Sequence, residues 1–272
     1  STGVSYPAIA SSKISSFHIV FPDITEQRRI VSKLDAKCSQ LDKVVEQTRA
    51  TIEEYKKLKQ AIITDAVTKG VRGPRPMKPS GVEWIGDIPE EWDIVQARRY
   101  VLVNHGSDPK TLGDIPVYGS GSISFKTCGE YKEGPTVLLG RKGTLNVPQY
   151  ITGKYWNVDT AFDVTVNEDI DLRFYYYLAT CFDYMFYSSQ TAVPSMTQSN
   201  YLSMKLPVPR INEQQCIVSL LDTKCAEIDR IIEKKEQLIE ELGSYKKSLI
   251  YEYVTGKKEV KTNMELKVPY SN

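Results

Sequence analysis

No run of apolar residues in this chain approaches the roughly 18 needed to span a bilayer as a helix. The first residues, Ser1 to Ser16, also lack the charged and apolar blocks of a secretory signal, so a soluble, cytoplasmic protein is expected. Cysteine is sparse. Cys38, Cys128, Cys181, Cys216 and Cys225 are odd in number and form no CxxC or Cys/His spacing, which argues against a disulfide framework and a zinc site. Reduced thiols and no metal are expected. His18 and His105, the two histidines, lie far apart and suggest no catalytic triad. A GxxxxGK[ST] phosphate loop is missing, as are the glycine loop and Asn/Asp-Pro-Pro-aromatic motif of a methyltransferase. Excess charge of either sign is lacking too. With 35 basic and 34 acidic residues the net is +1, which gives no compositional support to a nucleic-acid partner. The middle of the chain is even slightly acidic: residues 75–208 hold 12 Lys/Arg against 15 Asp/Glu, while residues 21–74 hold 11 against 8.

What the chain does contain is a gapless internal repeat at an offset of 187 residues. Phe21-Pro-Asp-Ile-Thr-Glu-Gln27 lies over Val208-Pro-Arg-Ile-Asn-Glu-Gln214, and Ile30-Val-Ser-Lys-Leu-Asp-Ala-Lys-Cys38 over Ile217-Val-Ser-Leu-Leu-Asp-Thr-Lys-Cys225. From Phe21 to Lys69, 20 of 49 pairs are identical, far more than chance supplies, so duplication is the economical origin.

Both copies read as long helices. Val31, Leu34, Cys38, Leu41, Val45, Thr48, Ile52, Tyr55, Lys59, Ile62 and Ala66 are spaced alternately three and four apart, and the second copy repeats the stripe from Val218 to Tyr253. An apolar seam of period 3.5 over about four to five heptads calls for a partner helix. Polar breaks fall at matching steps, Thr48 with Lys235 and Lys59 with Lys246, where they can fix register. Asn212, with Gln215 three residues on, and Thr25 at the equivalent place are the expected N-caps. For the helices alone, an ordinary buried pair and a dedicated protein-docking surface are both open.

The stretch Gly70 to Gly81 is rich in Pro and Gly and ends the first helix. Beyond it come short β-prone runs, Ile94-Val95, Ile115 to Tyr118, Thr136 to Leu139 and Ala161 to Val166, with one helix over Leu172 to Phe182. The fold class is therefore α+β: one mixed domain inserted between two long helices that form an antiparallel coiled coil.

This arrangement resembles the specificity subunit of type I restriction–modification enzymes, either its carboxyl-terminal half or a half-length form. The helix entries Pro22 to Ile30 and Pro209 to Ile217 look like the family's helix-entry motif. Met77 to Trp92 looks like the opening of a target recognition domain, and Ile115 to Gly121 and Leu138 to Thr144 are similar to its inner segments. The division expected is the tail of a preceding recognition-domain copy (1–20), a first long helix (21–69), a linker (70–80), a target recognition domain (81–207), a second long helix (208–257) and a C-terminal tail (258–272). The resemblance implies a non-catalytic subunit that reads one half of a bipartite duplex DNA site and scaffolds two methyltransferase (modification) subunits, beside an ATP-driven restriction subunit. S-adenosylmethionine, ATP and magnesium are expected on those partners, with no cofactor here. A half-length subunit would pair as a homodimer.

Two glycine-rich polar loops are the candidate DNA contacts. In Gly140-Arg-Lys-Gly143 the glycines permit close approach, Arg141 can fork onto guanine or phosphate, and Lys142 can neutralise a phosphate; Thr144 follows. Tyr118, Ser120, Ser122 and Lys126 form the second set. Either loop could instead be a turn that happens to carry polar groups. Two competing functions are a coiled-coil scaffold without sequence readout and a nuclease built on Asp114, Glu130 and Lys132. The Glu-Tyr-Lys trio of the latter also occurs at Glu54-Tyr55-Lys56 inside the first helix, which shows how cheaply it arises.

Overall fold

The computed structural model describes residues 9, 11–18, 22–121, 124–189 and 192–260. Most of the segment assigned to a preceding domain copy, the site residue Ser122 and the tail beyond 260 lie outside them. The helices are α1 (Ser11–Ser15), α2 (Ile24–Lys69), α3 (Leu172–Ala179), α4 (Tyr184–Tyr187), α5 (Gln198–Ser203) and α6 (Ile211–Val254). The strands are β1 (Met77–Pro79), β2 (Asp87–Pro89), β3 (Asp93–Gln96), β4 (Val101–His105), β5 (Ile115–Tyr118), β6 (Lys126–Cys128), β7 (Lys132–Glu133), β8 (Thr136–Gly140), β9 (Gln149–Ile151), β10 (Lys154–Asn157), β11 (Ala161–Val166) and β12 (Lys205–Val208). Among the described residues no helix is long and apolar enough to cross a membrane.

Two compact units emerge, one of Ser1–Glu53 with Ile231–Asn272, the other of Glu54–Arg230. The described residues of the first are mainly helical. Thr48, Ile52, Leu249 and Tyr253 are buried in it, and the Thr48 hydroxyl is satisfied by the Val44 carbonyl one turn back, at 2.7 Å. Lys246, a polar break in the stripe, donates to both oxygens of Asp42 at 2.6 and 2.7 Å, and that bond raises its pKa. Val31, expected on the seam, is instead 56% exposed. The expected cap at Thr25 also shifts: Asp23 Oδ1 accepts from the N–H groups of Thr25 and Glu26 at 2.8 and 2.9 Å, so α2 begins at Ile24. A carboxylate is the better acceptor there, because it also meets the positive end of the helix dipole.

In the second unit α2 and α6 run antiparallel. Lys59 pairs with Asp229 at 2.6 Å, and just past the end of α2 a Cβ at Gly70 would lie 3.0 Å from Glu213, near the start of α6. Asn212 is not the cap of α6: the helix opens one residue earlier, and the Arg210 carbonyl accepts from the N–H groups of Glu213 and Gln214.

Against these helices packs the inserted domain. β4, β11, β8 and β9 form one antiparallel sheet in the order β4-β11-β8-β9. A second sheet, in the order β6-β5-β10-β7, is mixed, because β5 and β10 are parallel. β8 reads Thr-Val-Leu-Leu-Gly with every residue buried, as a strand covered on both faces requires. Its Val137 and Leu139 join Trp92, Phe162, Phe174, Tyr175 and Tyr201 in one core, together with Ile63 and Val67 of α2 and Ile217 and Leu221 of α6. Each such side chain contributes about 1.5–3 kcal/mol by leaving water.

The Glu-Gln pair of the helix entry is the polar pin of this packing. Glu213 is buried, pairs with Arg75 at 2.7 Å and accepts from Trp92 Nε1 at 3.3 Å. Gln214 is wholly buried. Its carbonyl accepts from the Asp171 N–H at 2.8 Å, and its amide donates to the Asp169 and Pro209 carbonyls at 3.0 and 2.8 Å. In the first copy Gln27 donates to the Pro22 carbonyl at 2.8 Å, the same local bond one repeat earlier, while Glu26 forms a loose pair with Arg29 at 3.6 Å.

Candidate nucleic-acid interface

The loop after β8 is clamped from both sides. Gly140 is required where the chain turns, because a Cβ there would come within 2.2 Å of the Thr144 carbonyl; the Gly140 carbonyl accepts from the Tyr201 hydroxyl at 2.6 Å. Arg141 then donates its N–H to Thr160 at 2.8 Å and accepts at its carbonyl from Met196 at 2.9 Å. Gly143 turns with φ +83°, which an L side chain rarely adopts, and donates to the Pro194 carbonyl at 3.0 Å. The turn therefore sits between residues 158–160 and 194–196, with Lys142 bridged to Ser195.

The second loop is drawn to the same place. Val158 donates to the Tyr118 carbonyl at 3.0 Å, and the amide of buried Gln149 donates to the Gly119 carbonyl at 3.0 Å. A Cβ at Gly119 would lie 2.9 Å from Thr160 Oγ1, and one at Gly143 would lie 3.6 Å from Ser120 Oγ. Thr160 therefore backs both loops, and Ser120 faces the Arg141–Thr144 turn. Thr144 and Lys142 are exposed, Tyr118 and Ser120 half-buried. Lys126 is exposed at the start of β6, with its ammonium 5.4 Å from the ring of Phe125. Ser122 falls outside the described residues.

Arg141 is not a loose cation. Its Nη1 donates to the Asp159 carbonyl at 3.1 Å and lies 3.5 Å from that residue's carboxylate, itself half-exposed. Beside it opens a cleft of about 280 Å³, with Arg141, Lys142, His105, Ser195, Gln198 and Ser199 among its lining residues. His105 is exposed at the end of β4, with its ring edge-on to Phe162 at 4.9 Å. Sequence reasoning dismissed His105 for want of a triad and passed over Gln198 and Ser199. The signal was the run Ser195-Met-Thr-Gln-Ser-Asn200, dense in short hydrogen-bonding side chains.

Two residues of the nuclease reading, Glu130 and Lys132, are engaged in holding the fold, while Asp114 is exposed. Glu130 accepts from the N–H groups of Lys110 and Thr111 at 2.7 and 3.1 Å and from the Thr111 hydroxyl at 2.7 Å. Chiefly that hydroxyl bond, with the backbone donors, lowers its pKa to about 2. Lys132 is tied to Asp163. Among the described residues no three His, Cys, Asp or Glu side chains gather as a metal site.

Three kinds of likeness converge on this domain and its helices. Residues 93–241, more than half of the chain, match the model of the type I restriction modification DNA specificity domain. The specificity subunit of the type I restriction enzyme MjaVIII from Methanocaldococcus jannaschii is 25% identical over 95% of the chain and 66% of its own length. A second Methanocaldococcus jannaschii sequence, named for the specificity subunit of MjaX, is 26% identical over 95% of the chain and 63% of its own length. The chain thus spans a little under two thirds of these relatives. Among solved structures, one titled for complex assembly and conformational transition of the type I R-M system shares the fold at TM-score 0.74 and 17% identity, over 94% of this chain and 66% of that one. The HsdS subunit from Thermoanaerobacter tengcongensis does so at TM-score 0.53 and 17% identity, over 95% and 65%. With the Glu213–Gln214 pair pinning the mixed domain to the start of the second long helix, and with that domain matched by the family model, the chain belongs to the type I restriction modification DNA specificity family.

Proposed function

We propose that the inserted domain reads one half of a bipartite duplex DNA site, without chemistry of its own, and that the long helices form the platform for methyltransferase subunits. The observation that carries this reading is the meeting of the two glycine-rich loops over Thr160, where Ser120 faces the Arg141–Thr144 turn and Arg141 and Lys142 border a polar cleft with Ser195, Gln198 and Ser199. Rigid placement of donors is what readout of base edges demands, and a neighbouring exposed lysine is what phosphate contact demands. The domain's slight negative charge confines the contact to this patch.

S-adenosylmethionine, ATP and magnesium belong to the partner subunits in this reading, and the complex works in the cytoplasm. The other half-site is read by a second recognition domain, supplied by a homodimer partner or by a longer chain. Fluorescence binding of a randomised duplex pool to the full chain with its methyltransferase subunits tests the proposal. Sequence-selective binding that Arg141→Ala together with Lys142→Ala weakens at least tenfold supports it. Complexes without sequence preference, unaltered by that double substitution, would leave only the scaffold.

A further inference from the structure

Arg141 and Lys142 are adjacent cations with opposite circumstances. Lys142 is exposed and makes no ion pair among the described residues. Arg141 is fixed along its length: its N–H is held by Thr160, its carbonyl by Met196 and its Nη1 by the carbonyl of Asp159, with the Asp159 carboxylate 3.5 Å away. These differences select different parts of a duplex. A phosphate approaching Arg141 meets a guanidinium already neutralised by a carboxylate, and it is repelled by that carboxylate. A guanine edge meets far weaker repulsion, because O6 and N7 are uncharged acceptors whose demand is a planar fork held at a fixed angle.

The geometry points to a division of labour: we propose that Arg141 reads a guanine in the major groove and that Asp159 is the positioning residue that makes it a base reader rather than a phosphate clamp. This rests on the DNA-reading role of the loop argued above. Asp159 sits in the turn between β10 and β11, so its carbonyl and carboxylate hold one edge of the guanidinium from outside the Arg141 loop. The Asp159 carbonyl contact does not depend on its side chain, so removing the carboxylate frees the guanidinium to turn toward phosphate without deleting a core group. A bidentate arginine–guanine contact discriminates by about 1–3 kcal/mol, or roughly five- to 150-fold.

The test compares the modified motif across the genome of a host carrying the full chain with its modification subunits, for the unaltered chain, Arg141→Ala, Asp159→Asn and Asp159→Glu, with the melting temperature of each chain. The expected result is that Arg141→Ala and Asp159→Asn both relax the same guanine-containing base pair by about tenfold or more. Asp159→Glu should restore most of the preference, and the Asp159 substitutions should leave the melting temperature within a few degrees. Relaxation by Arg141→Ala with an unchanged motif in Asp159→Asn overturns the positioning role. A uniform loss of modification at all sites in Arg141→Ala makes Arg141 a phosphate contact and overturns the proposal while sparing the DNA-reading domain. An unchanged motif and unchanged modification level in every variant would remove this loop from DNA recognition altogether.

Discussion

Lys59 and Asp229 close an ion pair at 2.6 Å, and the sequence offset that carries Lys59 onto Lys246 also carries Asp229 back onto Asp42, whose own pair closes at 2.6 Å. The duplication therefore made one complementary pair twice, each lysine on one copy meeting the aspartate of the other. A lysine at a seam position costs little when a carboxylate lies opposite, and it penalises every shifted register. Replacing Lys59 by Asp should destabilise the chain by about 0.2–1 kcal/mol, the range of partly exposed pairs, and Asp229→Lys on top of it should recover most of the loss. A double-mutant cycle from urea denaturation measures this; additive losses would mean that the pair contributes no coupling.

The repeat also supplies an internal control for the helix-entry glutamate. Glu213 is buried against Arg75 and Trp92, whereas its counterpart Glu26 is only partly buried and loosely paired. Removing one member of a buried pair leaves an uncompensated charge and costs about 3–5 kcal/mol, so Glu213→Ala should lower the urea midpoint sharply. Glu26→Ala should cost about 1 kcal/mol or less. Equal effects of the two substitutions would show that the identical motif does not owe its role to the domain packed on it.

Much of this was legible in the sequence, for a physical reason. Period and repetition report on local backbone and on seams, so the long helices, the strands at Ile115, Thr136 and Ala161 and the helix at Leu172 emerged near their expected places. What periodicity does not report is which partner a polar group meets. The lysines of the stripe were visible as breaks, but their aspartates were not, because they lie 170 and 204 residues away in sequence. The Glu-Gln pair was recognisable as a motif, yet its burial depends on Arg75, Trp92 and Asp171 from other segments. β4 was missed because its Val-Leu-Val-Asn-His sequence shows no turn signal before it; a short 3-10 helix over Ala97–Arg99 does that work. Likewise Arg141 was readable as a cation but not as one held by Asp159, and Gln198 joins the cleft only through the return of the chain after α4.

Glu130 gives the domain a local acid sensitivity. Its carboxylate, held at a pKa of about 2 against an ordinary value of 4.5, is bonded mainly to the Thr111 hydroxyl, with help from backbone N–H groups of Lys110 and Thr111. The folded value is the lower one, so the stabilisation is complete above about pH 4.5 and fades as pH falls toward 2. Amide hydrogen exchange at Lys110 and Thr111 should lose protection in that window after correction for intrinsic rates. Glu130→Gln should remove the pH dependence, and an unchanged acid response in that variant would assign it to another group.

Lys142 is the side chain through which ionic strength should act. An exposed ammonium that neutralises one phosphate releases about one counterion's worth of salt dependence, because the slope of log K against log salt is about −0.9 per phosphate contacted. Lys142→Ala should therefore weaken DNA binding by a similar factor on every sequence and make the slope shallower by about one, leaving the preferred motif intact. Because the domain carries no general positive field, few contacts of this kind exist to replace it, and the unaltered chain should itself show only a modest slope. Anisotropy titrations of one duplex from 50 to 300 mM salt, roughly the range over which such slopes are read, decide the matter. A steep slope that survives Lys142→Ala would place the phosphate contacts elsewhere on the protein.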